Sequence, residues 1–483
     1  MTHRQHLLAL ALCAASVTAS AQPPDVVVSD AKGNTAMGTD TLKVTGSVTV
    51  GENTGAGYQV LFSNTDGSLN AGLGWHALYS NTLGLGNTAL GASSLILNTT
   101  GGDNTATGSF SMQSNTIGNY NVAYGTTALG TNTSGSYNSA VGYSAMLFNT
   151  TGYNNVAHGA YALDANTTGS DNTAIGWSAM SASQTGIQNT AVGSATLTEL
   201  NSGNDNVALG ANALRVNTTG SYNTASGADS LFTNTEGDSN TASGYQALYS
   251  NTTGSSNTSV GHHSLQANTT GYHHTAVGAQ ALFSNTTGVN NTALGLGALY
   301  ANTTGSNNIA VGLNAGNNLT TGHDDIDIGN SGVAGESSTI RIGGTAQTAT
   351  YVAGILGSQV TGSPVYISST GRLGVLASSE KYKTAITGMG ERSKALHHLR
   401  PVTFHLKNDP QGALQYGLIA EEVNEVDPNL VIRDQSGSIE GVRYDELAPM
   451  LLNEVQQLQK QLVSQEKKMH ALEQRLQAMS GGR

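Results

Sequence analysis

A strict 17-residue repeat constrains this chain more than any other feature. Glycine recurs every 17 residues from Gly67 to Gly322, and a second series, offset by seven, runs from Gly74 to Gly329 without a miss. The consensus unit reads N-T-T-G-x-x-N-T-A-V-G-x-x-A-L-x-x, and no insertion breaks its phase over about 260 residues. Such self-similarity predicts an array of stacked, equivalent units.

The composition of the unit favours β-structure over helix. Repeats built from paired helices need about 33 residues or more, and Asn, Thr and Gly are poor helix formers. The two glycine phases predict two turns per unit, where positive φ or close backbone approach is needed. The segments around N-T-A-V and A-L-x-x-N are each long enough for one strand. The sequence therefore predicts a mainly β fold, a parallel β-solenoid or β-roll with two strands per coil.

The repeat phases also predict which side chains face the core. The position four after the second glycine is Leu or Met in 14 successive units, from Leu78 to Leu299. Two before that glycine the residue is nearly always Ala, as at Ala89, and the next position varies, as at Val141 and Tyr124. We expect a thin Ala/Leu core, an outward variable position, and ladders of Asn and Thr side chains that bond to their copies one coil away. At about 4.8 Å per coil, 16 coils make a rod of roughly 75 Å.

The unit resembles the head repeat of trimeric autotransporter adhesins in its N-T/S-x-x-G strand and its glycine corners. The resemblance implies a parallel β-roll, although the repeats of that family are usually shorter by a few residues. One coil of this composition buries too little apolar surface to stand alone. Association of three copies would bury the remaining face, so we expect a homotrimer.

The charge content excludes some classes of function. Charged residues are 10% of the 483 residues, against about 25% in a typical globular protein. The formal net charge is -12, which argues against a nucleic-acid partner. A glycosidase needs a carboxylate pair in a groove, and the repeat offers only scattered acids such as Asp164, Asp171 and Glu199.

Two histidine pairs in the repeat are candidates for a metal site. His262-His263 and His273-His274 lie in neighbouring units, and imidazole is a common metal ligand. We interpret these four residues as exposed substitutions at variable positions. We therefore expect no metal and no cofactor.

The N-terminal segment has the pattern of a secretory signal. Arg4 gives a positive start, LLALALCAA is the apolar run, and Ala19-Ser20-Ala21 fits a cleavage site before Gln22. The run is too short to span a membrane. An ordinary apolar helix and a lipid anchor on Cys13 are the two alternatives. We expect a secreted or cell-surface protein of a bacterium, with no membrane span and no cysteine in the mature chain.

The repeat phase ends after Gly329, and the composition changes twice beyond it. The stretch at 330–377 is rich in β-branched residues with glycine breaks, which predicts a β-rich neck of short strands. Further on we expect a helix end and a strand around Pro401, a strand and short helix before Pro428, and a hairpin with a Ser-Gly turn. These patterns predict a small α+β domain.

The C-terminal tail has apolar residues at heptad spacing, which predicts a coiled coil. The predicted core residues are Leu451, Val455, Leu458, Leu462, Met469, Leu472 and Leu476. We divide the chain into a signal peptide (1–21), an N-terminal segment (22–63), the repeat solenoid (64–329), the neck (330–377), the α+β domain (378–446) and the coiled coil with its tail (447–483).

Lysine is absent from residues 44–380 and returns at Lys381 and Lys383, just behind a serine pair. The motifs SSEKYKTAI, ALHHLRPVTFHLK, YGLIAEEVNEVDPNLV and VRYDELAPMLLNEVQQLQ follow in this order from 378 to about 465. Together they resemble the intramolecular chaperone domain at the end of phage endosialidases and other trimeric tailspikes and fibres. The resemblance implies a domain that drives trimerisation and folding and then releases itself by autoproteolysis.

The family's catalytic serine and lysine map onto Ser378 and Lys383, which implies a cut between Ala377 and Ser378. A hydroxyl is a poor nucleophile until a base takes its proton, and lysine is a base only when burial lowers its pKa. A trimer interface could supply that burial and so tie cleavage to assembly. Self-cleavage by this serine/lysine dyad is the one enzyme activity that the sequence suggests.

More than one function remains open at this point. The leading interpretation is an exported, trimeric, adhesin-like surface fibre with a C-terminal chaperone and autoprotease. The alternative is a tailspike-like protein that binds or cleaves polysaccharide, and a third is a phage fibre, against which the signal peptide argues. A glycan or another surface ligand stays open as a partner.

Overall fold

The computed structural model describes residues 28–43, 51–352, 364–368, 371–375, 377–407, 409–434 and 436–480. The chain divides into two compact units, Met1–Thr350 and Tyr351–Arg483. The predicted signal cleavage site at Ala21 and Gln22 lies outside the described residues.

The first unit is built on one long sheet, to which each coil contributes a single three-residue strand. The first strand, Val28–Ser29, pairs antiparallel with the next. All later neighbours in this sheet pair in parallel, so that Thr88 lies beside Thr105, 17 residues further on. The predicted parallel β-solenoid with a 17-residue repeat is therefore confirmed. Its strands are β1 (Val28–Ser29), β2 (Thr35–Met37), β3 (Thr54–Ala56), β4 (Ala71–Leu73), β5 (Thr88–Leu90), β6 (Thr105–Thr107), β7 (Val122–Tyr124), β8 (Ser139–Val141), β9 (Val156–His158), β10 (Thr173–Ile175), β11 (Thr190–Val192), β12 (Val207–Leu209), β13 (Thr224–Ser226), β14 (Thr241–Ser243), β15 (Thr258–Val260), β16 (Thr275–Val277), β17 (Thr292–Leu294), β18 (Ile309–Val311), β19 (Ile326–Ile328) and β20 (Ile340–Ile342).

The second segment of each coil is a run of turns, so the prediction of two strands per coil is wrong. The core residue Leu95 (φ 49°) and Ser93 (φ 56°) both have left-handed backbone, which a strand cannot contain because strand residues have negative φ. Backbone hydrogen bonds still join the coils here, as from the Leu95 N–H to the Ser111 carbonyl at 3.0 Å. A left-handed leucine costs roughly 1–2 kcal/mol, and complete burial of its side chain offsets this by roughly 1.5–3 kcal/mol.

The two glycine series are required for different reasons. Gly142, in the second series, has φ 135°, and a Cβ there would lie 2.6 Å from the carbonyl oxygen of Gly159. Gly135, in the first series, lacks a positive φ, but a Cβ there would lie 2.3 Å from the carbonyl oxygen of Gly152. Close stacking of successive coils therefore requires glycine at both positions, and a left-handed backbone requires it at one.

The apolar interior of the solenoid is a thin layer of Ala, Leu and Met, as predicted. Ala140 in the middle of its strand and Met146 in the following turns are fully buried. A second buried alanine, Ala145, directly precedes the Leu or Met position. The variable position points outward, and Tyr124 there is 49% exposed.

Two columns of buried asparagines run beside this apolar layer, and they confirm the predicted asparagine ladders. In the first column, Asn155 Nδ2 donates to Asn138 Oδ1 at 3.1 Å, and Asn155 Oδ1 accepts the backbone N–H of Asn172 at 3.1 Å. In the second column, Asn149 Nδ2 donates to Asn132 Oδ1 at 2.8 Å. The buried amides thus find partners in the same chain, which limits the cost of a polar interior.

The threonine column is bonded differently from the prediction of side-chain ladders. Thr133 Oγ1 donates to the backbone carbonyl of Thr150 at 3.0 Å, and Thr150 Oγ1 donates in the same way to Thr167 at 2.8 Å. In this column the hydroxyl bonds to the backbone oxygen of the next coil instead of to the hydroxyl of its copy. These bonds add to the coil-to-coil contacts.

Charged residues replace the repeat residues at the C-terminal end of the solenoid. Asp327 stands at the core alanine position and Asp325 at the first asparagine column, and each is 1% exposed. Burial, reinforced by the charges of Glu336 and Asp325, raises the pKa of Asp327 to about 6. Arg341, on the adjacent strand, pairs with Glu336 at 2.6 Å. This polar coil ends the apolar layer, as the terminal unit of a solenoid must.

The second unit contains short antiparallel strand pairs and a long helix. The strands are β21 (Tyr366–Ile367), β22 (Leu373–Gly374), β23 (Val402–Phe404), β24 (Gln415–Gly417), β25 (Val431–Arg433) and β26 (Ile439–Val442). The α-helices are α1 (Ala420–Val426) and α2 (Tyr444–Ser480), and the 3-10 helices are Glu380–Tyr382, Gly390–His398 and Pro428–Leu430. The predicted strand after Pro401, the strand and helix before Pro428, and the hairpin are all present.

The core of the second unit is small. Val423 of α1, Val431 and Val442 of the hairpin, and Met450 of α2 are buried together. Leu430 completes this cluster. The core therefore joins α1, the hairpin and the first turns of α2.

Candidate functional site

The junction around Ser378 is extended and exposed. Ala377 and Ser378 have no regular secondary structure, and both are exposed. Ser379 is the N-cap of the 3-10 helix Glu380–Tyr382, and its extended backbone (φ -67°, ψ 143°) forms no side-chain cap. Lys383 ends this helix, and its backbone N–H donates to the Glu380 carbonyl at 3.0 Å. Ser378 and Lys383 therefore flank one short helical turn.

A single chain leaves both members of the predicted dyad in solvent. The side chains of Ser378 and Lys383 are exposed, whereas a lysine base requires burial. The neighbouring Lys381 Nζ lies 4.7 Å from the centre of the Tyr382 ring. The dyad residues stay a prediction, and the burial that they need is not present in one chain.

The 3-10 helix Gly390–His398 is anchored to α2 by a polar cluster that the sequence analysis missed. Ser393 Oγ donates to Glu454 Oε1 at 2.6 Å, and His397 Nε2 lies 2.8 Å from Glu454 Oε2. Asn453 Nδ2 donates to the Gly390 carbonyl at 2.8 Å. The Ser393 hydroxyl, and after it His397, holds the pKa of Glu454 below its usual range.

The order of groups in this cluster argues for anchoring and against catalysis. In a serine hydrolase the imidazole lies between the hydroxyl and the carboxylate. Here the carboxylate of Glu454 lies between Ser393 and His397, so the imidazole is not placed to take the hydroxyl proton. Ser393 and His397 are four residues apart in a 3-10 helix, where three residues make a turn, so their spacing did not point to a common partner.

Two further contacts fix the ends of the helices. Tyr444 Oη, at the start of α2, accepts the backbone N–H of Leu418 at 2.8 Å. Arg400 Nε donates to Glu422 Oε2 of α1 at 3.1 Å. These partners are 26 and 22 residues apart in the chain, so no local spacing could have predicted them.

The predicted coiled-coil residues form an exposed apolar face on α2. Among the described residues of this helix, Met450 and Glu454 are the buried ones. The seven predicted core residues range from 52% exposed at Leu458 to 67% at Leu476. Their spacing of three and four residues places them on one side of the helix. The sequence position of this face was predicted, and in one chain the face is exposed.

The histidine pairs differ from the prediction at two positions, because His263 is half-buried and His274 is buried. His262 and His273 are exposed, as expected, but His274 is 1% exposed because it occupies the buried first asparagine column. Its phase, 17 residues after Asn257, was the signal that could have revealed this. Within the described residues, no three or more His, Cys, Asp or Glu side chains are grouped to hold a metal ion.

Residues 378–432 match the protein family described as the chaperone of endosialidase. The second unit thus contains a chaperone-of-endosialidase domain, which follows a long β-solenoid in the chain, and the predicted resemblance is confirmed. The match begins at Ser378 and includes Lys383. No curated protein matches this chain. In the part of the chain that the structure describes, no helix has the length and apolar character needed to cross a membrane.

Proposed function

We propose that this chain is an exported, trimeric, adhesin-like surface rod whose C-terminal domain drives trimerisation and then releases itself. The observation that carries the proposal is the exposed heptad face of α2, which follows the matched chaperone domain in the chain. Association of parallel helices would bury Leu451, Leu458 and the other heptad residues of this face. Three copies would also complete the thin solenoid core by covering a further face of each rod.

The proposed release is an attack by Ser378 Oγ on the carbonyl carbon of Ala377. Neutral Lys383 takes the hydroxyl proton and passes it to the Ser378 nitrogen as the peptide bond breaks, which leaves an ester between Ala377 and Ser378 Oγ. Water then hydrolyses the ester to the Ala377 carboxylate and the free Ser378 hydroxyl. Since one chain leaves both side chains exposed, neighbouring copies would have to bury Lys383, and cleavage would follow assembly.

The experiment compares purified full-length protein with Ser378→Ala by intact mass and by light scattering after size exclusion. We expect the wild type to yield a 106-residue fragment that begins at Ser378, and the variant to stay whole and trimeric. Ser379→Ala is the matched control and should be cut normally. If both proteins are uncut trimers, the domain is a permanent trimerisation domain and the proposed cleavage is wrong. If both are monomers, the proposed trimer is wrong.

Localisation is a separate part of the proposal. The predicted signal supports an exported rod, and fractionation of a bacterial host should place the solenoid outside the inner membrane. Retention of the full-length chain in the cytoplasm would contradict export.

Exposed aromatic rings favour glycan binding as a second candidate function. Tyr58 and Trp75 are exposed, and the centroids of their rings lie 5.6 Å and 3.6 Å from that of His76. His76 Nε2 lies 2.9 Å from Gln59 Oε1. A flat apolar ring bordered by polar groups suits a sugar.

A glycan panel tests this second candidate with the wild type beside Trp75→Ala. Binding without product, weakened in the variant, would support a binding rod. Release of shorter saccharides would favour the polysaccharide-cleaving alternative.

A further inference from the structure

The outward side of the long sheet carries no charge along the regular repeat. Strands β4 to β19 each direct their first and third side chains outward and their middle side chain inward. We call these first and third positions, from Ala71 to Ile328, the outer strand face. Its 32 positions contain no Asp, Glu, Lys or Arg, and one histidine, His158.

The charges of the same coils all lie elsewhere. Residues 64–322 contain nine Asp and Glu and the single basic residue Arg215. Each of these ten lies outside the strands, in turns, bends or connecting segments. A surface built to face water normally carries the charged residues of its protein. Their complete exclusion from one face suggests that this face does not remain in water.

Large apolar side chains form a column on the outer strand face. Val311 at the third strand position is half-buried. The other large apolar residues at this position are between 36% and 53% exposed in one chain, and they are Leu73, Leu90, Tyr124, Val141, Ile175, Val192, Leu209, Val260, Val277, Leu294 and Ile328. Single exposed apolar residues are ordinary, but parallel register places these in line, about 4.8 Å apart. Polar residues interrupt the column at Thr107, His158, Ser226 and Ser243. An aligned apolar strip of this kind marks an interaction surface.

The size of the face matches one side of a stable protein interface. Three residues of strand span about 10 Å, and 16 coils span about 75 Å, so the face covers roughly 750 Å². Specific complexes bury about 800 Å² on each partner. The whole length of the face is therefore needed to hold a partner firmly.

We propose that the outer strand face is the contact between copies of this chain, aligned parallel and in register along the solenoid. This inference rests on the proposed trimer and identifies the face that the copies share. A second copy offers an uncharged surface of the same length with the same apolar column, whereas a charged partner would bury unpaired charges against it. Three such faces around a common axis would leave the acidic turns in solvent.

Single cysteines test the contact in the full-length chain, whose one native cysteine, Cys13, lies in the predicted signal. Leu209→Cys places a thiol on the outer strand face, Leu458→Cys places one in the heptad face, and Thr219→Cys places one on an exposed turn. Thiols at equivalent positions of parallel copies approach one another at a shared axis, and disulfides need Cα atoms within about 7 Å.

After mild oxidation, we expect covalent dimers from Leu209→Cys and Leu458→Cys, at least tenfold more than from Thr219→Cys or the wild type. Cross-linking at Leu458→Cys but not at Leu209→Cys would overturn the inference and leave the trimer standing. No cross-linking at either position would overturn both. Equal cross-linking at Thr219→Cys would also overturn the inference. Val260→Cys repeats the test on another coil if Leu209→Cys folds poorly.

Discussion

His274 replaces an asparagine of the first ladder, and its Nδ1 accepts the backbone N–H of Asn291 at 3.2 Å. Its Nε2 lies 2.7 Å from the Gly288 carbonyl, so this nitrogen carries the hydrogen of the neutral ring. Burial lowers the pKa of His274 to about 4. A proton on Nδ1 would set two N–H groups face to face, so the Asn291 contact favours the neutral ring, as burial does.

Acid should therefore destabilise the coils around His274. Since the folded-state pKa is about 4 and an unfolded histidine titrates near 6.5, the unfolded state binds more protons between these values. Stability is lost as the pH falls from about 6.5 to about 4, by about 3 kcal/mol in total. His274→Asn restores the ladder and should remove this loss, as measured by melting temperature at pH 7.5 and pH 4.5. His273→Asn is the exposed control, and the same pH response in both variants would contradict the assignment.

Removal of one ladder amide should weaken the solenoid strongly. Asn155→Ala leaves the buried N–H of Asn172 without its partner, whereas the Oδ1 of Asn138 keeps the backbone N–H of residue 155. One buried group left unpaired costs about 1–3 kcal/mol, and we expect a loss of this size in urea unfolding followed by circular dichroism. Thr151→Ala changes an exposed side chain of the same coil and should have little effect. Equal stability of both variants would show that the ladder contributes nothing.

Addition of one methyl group at a stacking glycine should also be costly. In Gly142→Ala the new Cβ would lie 2.6 Å from the Gly159 carbonyl, and φ of 135° is strained for alanine. We expect a loss of about 3 kcal/mol or more, seen as a lower melting temperature. At Gly388 a Cβ meets nothing within 4 Å, so Gly388→Ala is the control. An unchanged melting temperature for Gly142→Ala would mean that the coils can separate without cost.

Replacement of the proposed base should stop release without preventing assembly. Lys383→Arg keeps the positive charge, but a guanidinium cannot be deprotonated in a protein, so intact mass should show an uncut trimer. Lys381→Arg is matched in chemistry and should be cut like the wild type. Cleavage of Lys383→Arg at the normal rate would exclude Lys383 as the base.

The sequence by itself determined the repeat, the parallel stacking, and the residues that face inward. A fixed 17-residue period places each side chain above its copy, so a column such as Asn138 and Asn155 can be read from phase alone. The ordered C-terminal motifs likewise identified the chaperone domain, with Ser378 and Lys383 within the matched residues. The repeat phase also places His274 in the buried asparagine column, although the sequence analysis interpreted this residue as exposed.

The tertiary structure alone decided the backbone path and the long-range partners. Leu95 takes a left-handed conformation because burial between neighbouring coils outweighs a local penalty, and propensity within a short segment cannot show this. Glu454 meets Ser393 and His397 across about 60 residues of chain, which no local spacing encodes. Burial of a side chain depends on everything packed around it, and a sequence pattern reports only its neighbours along the chain.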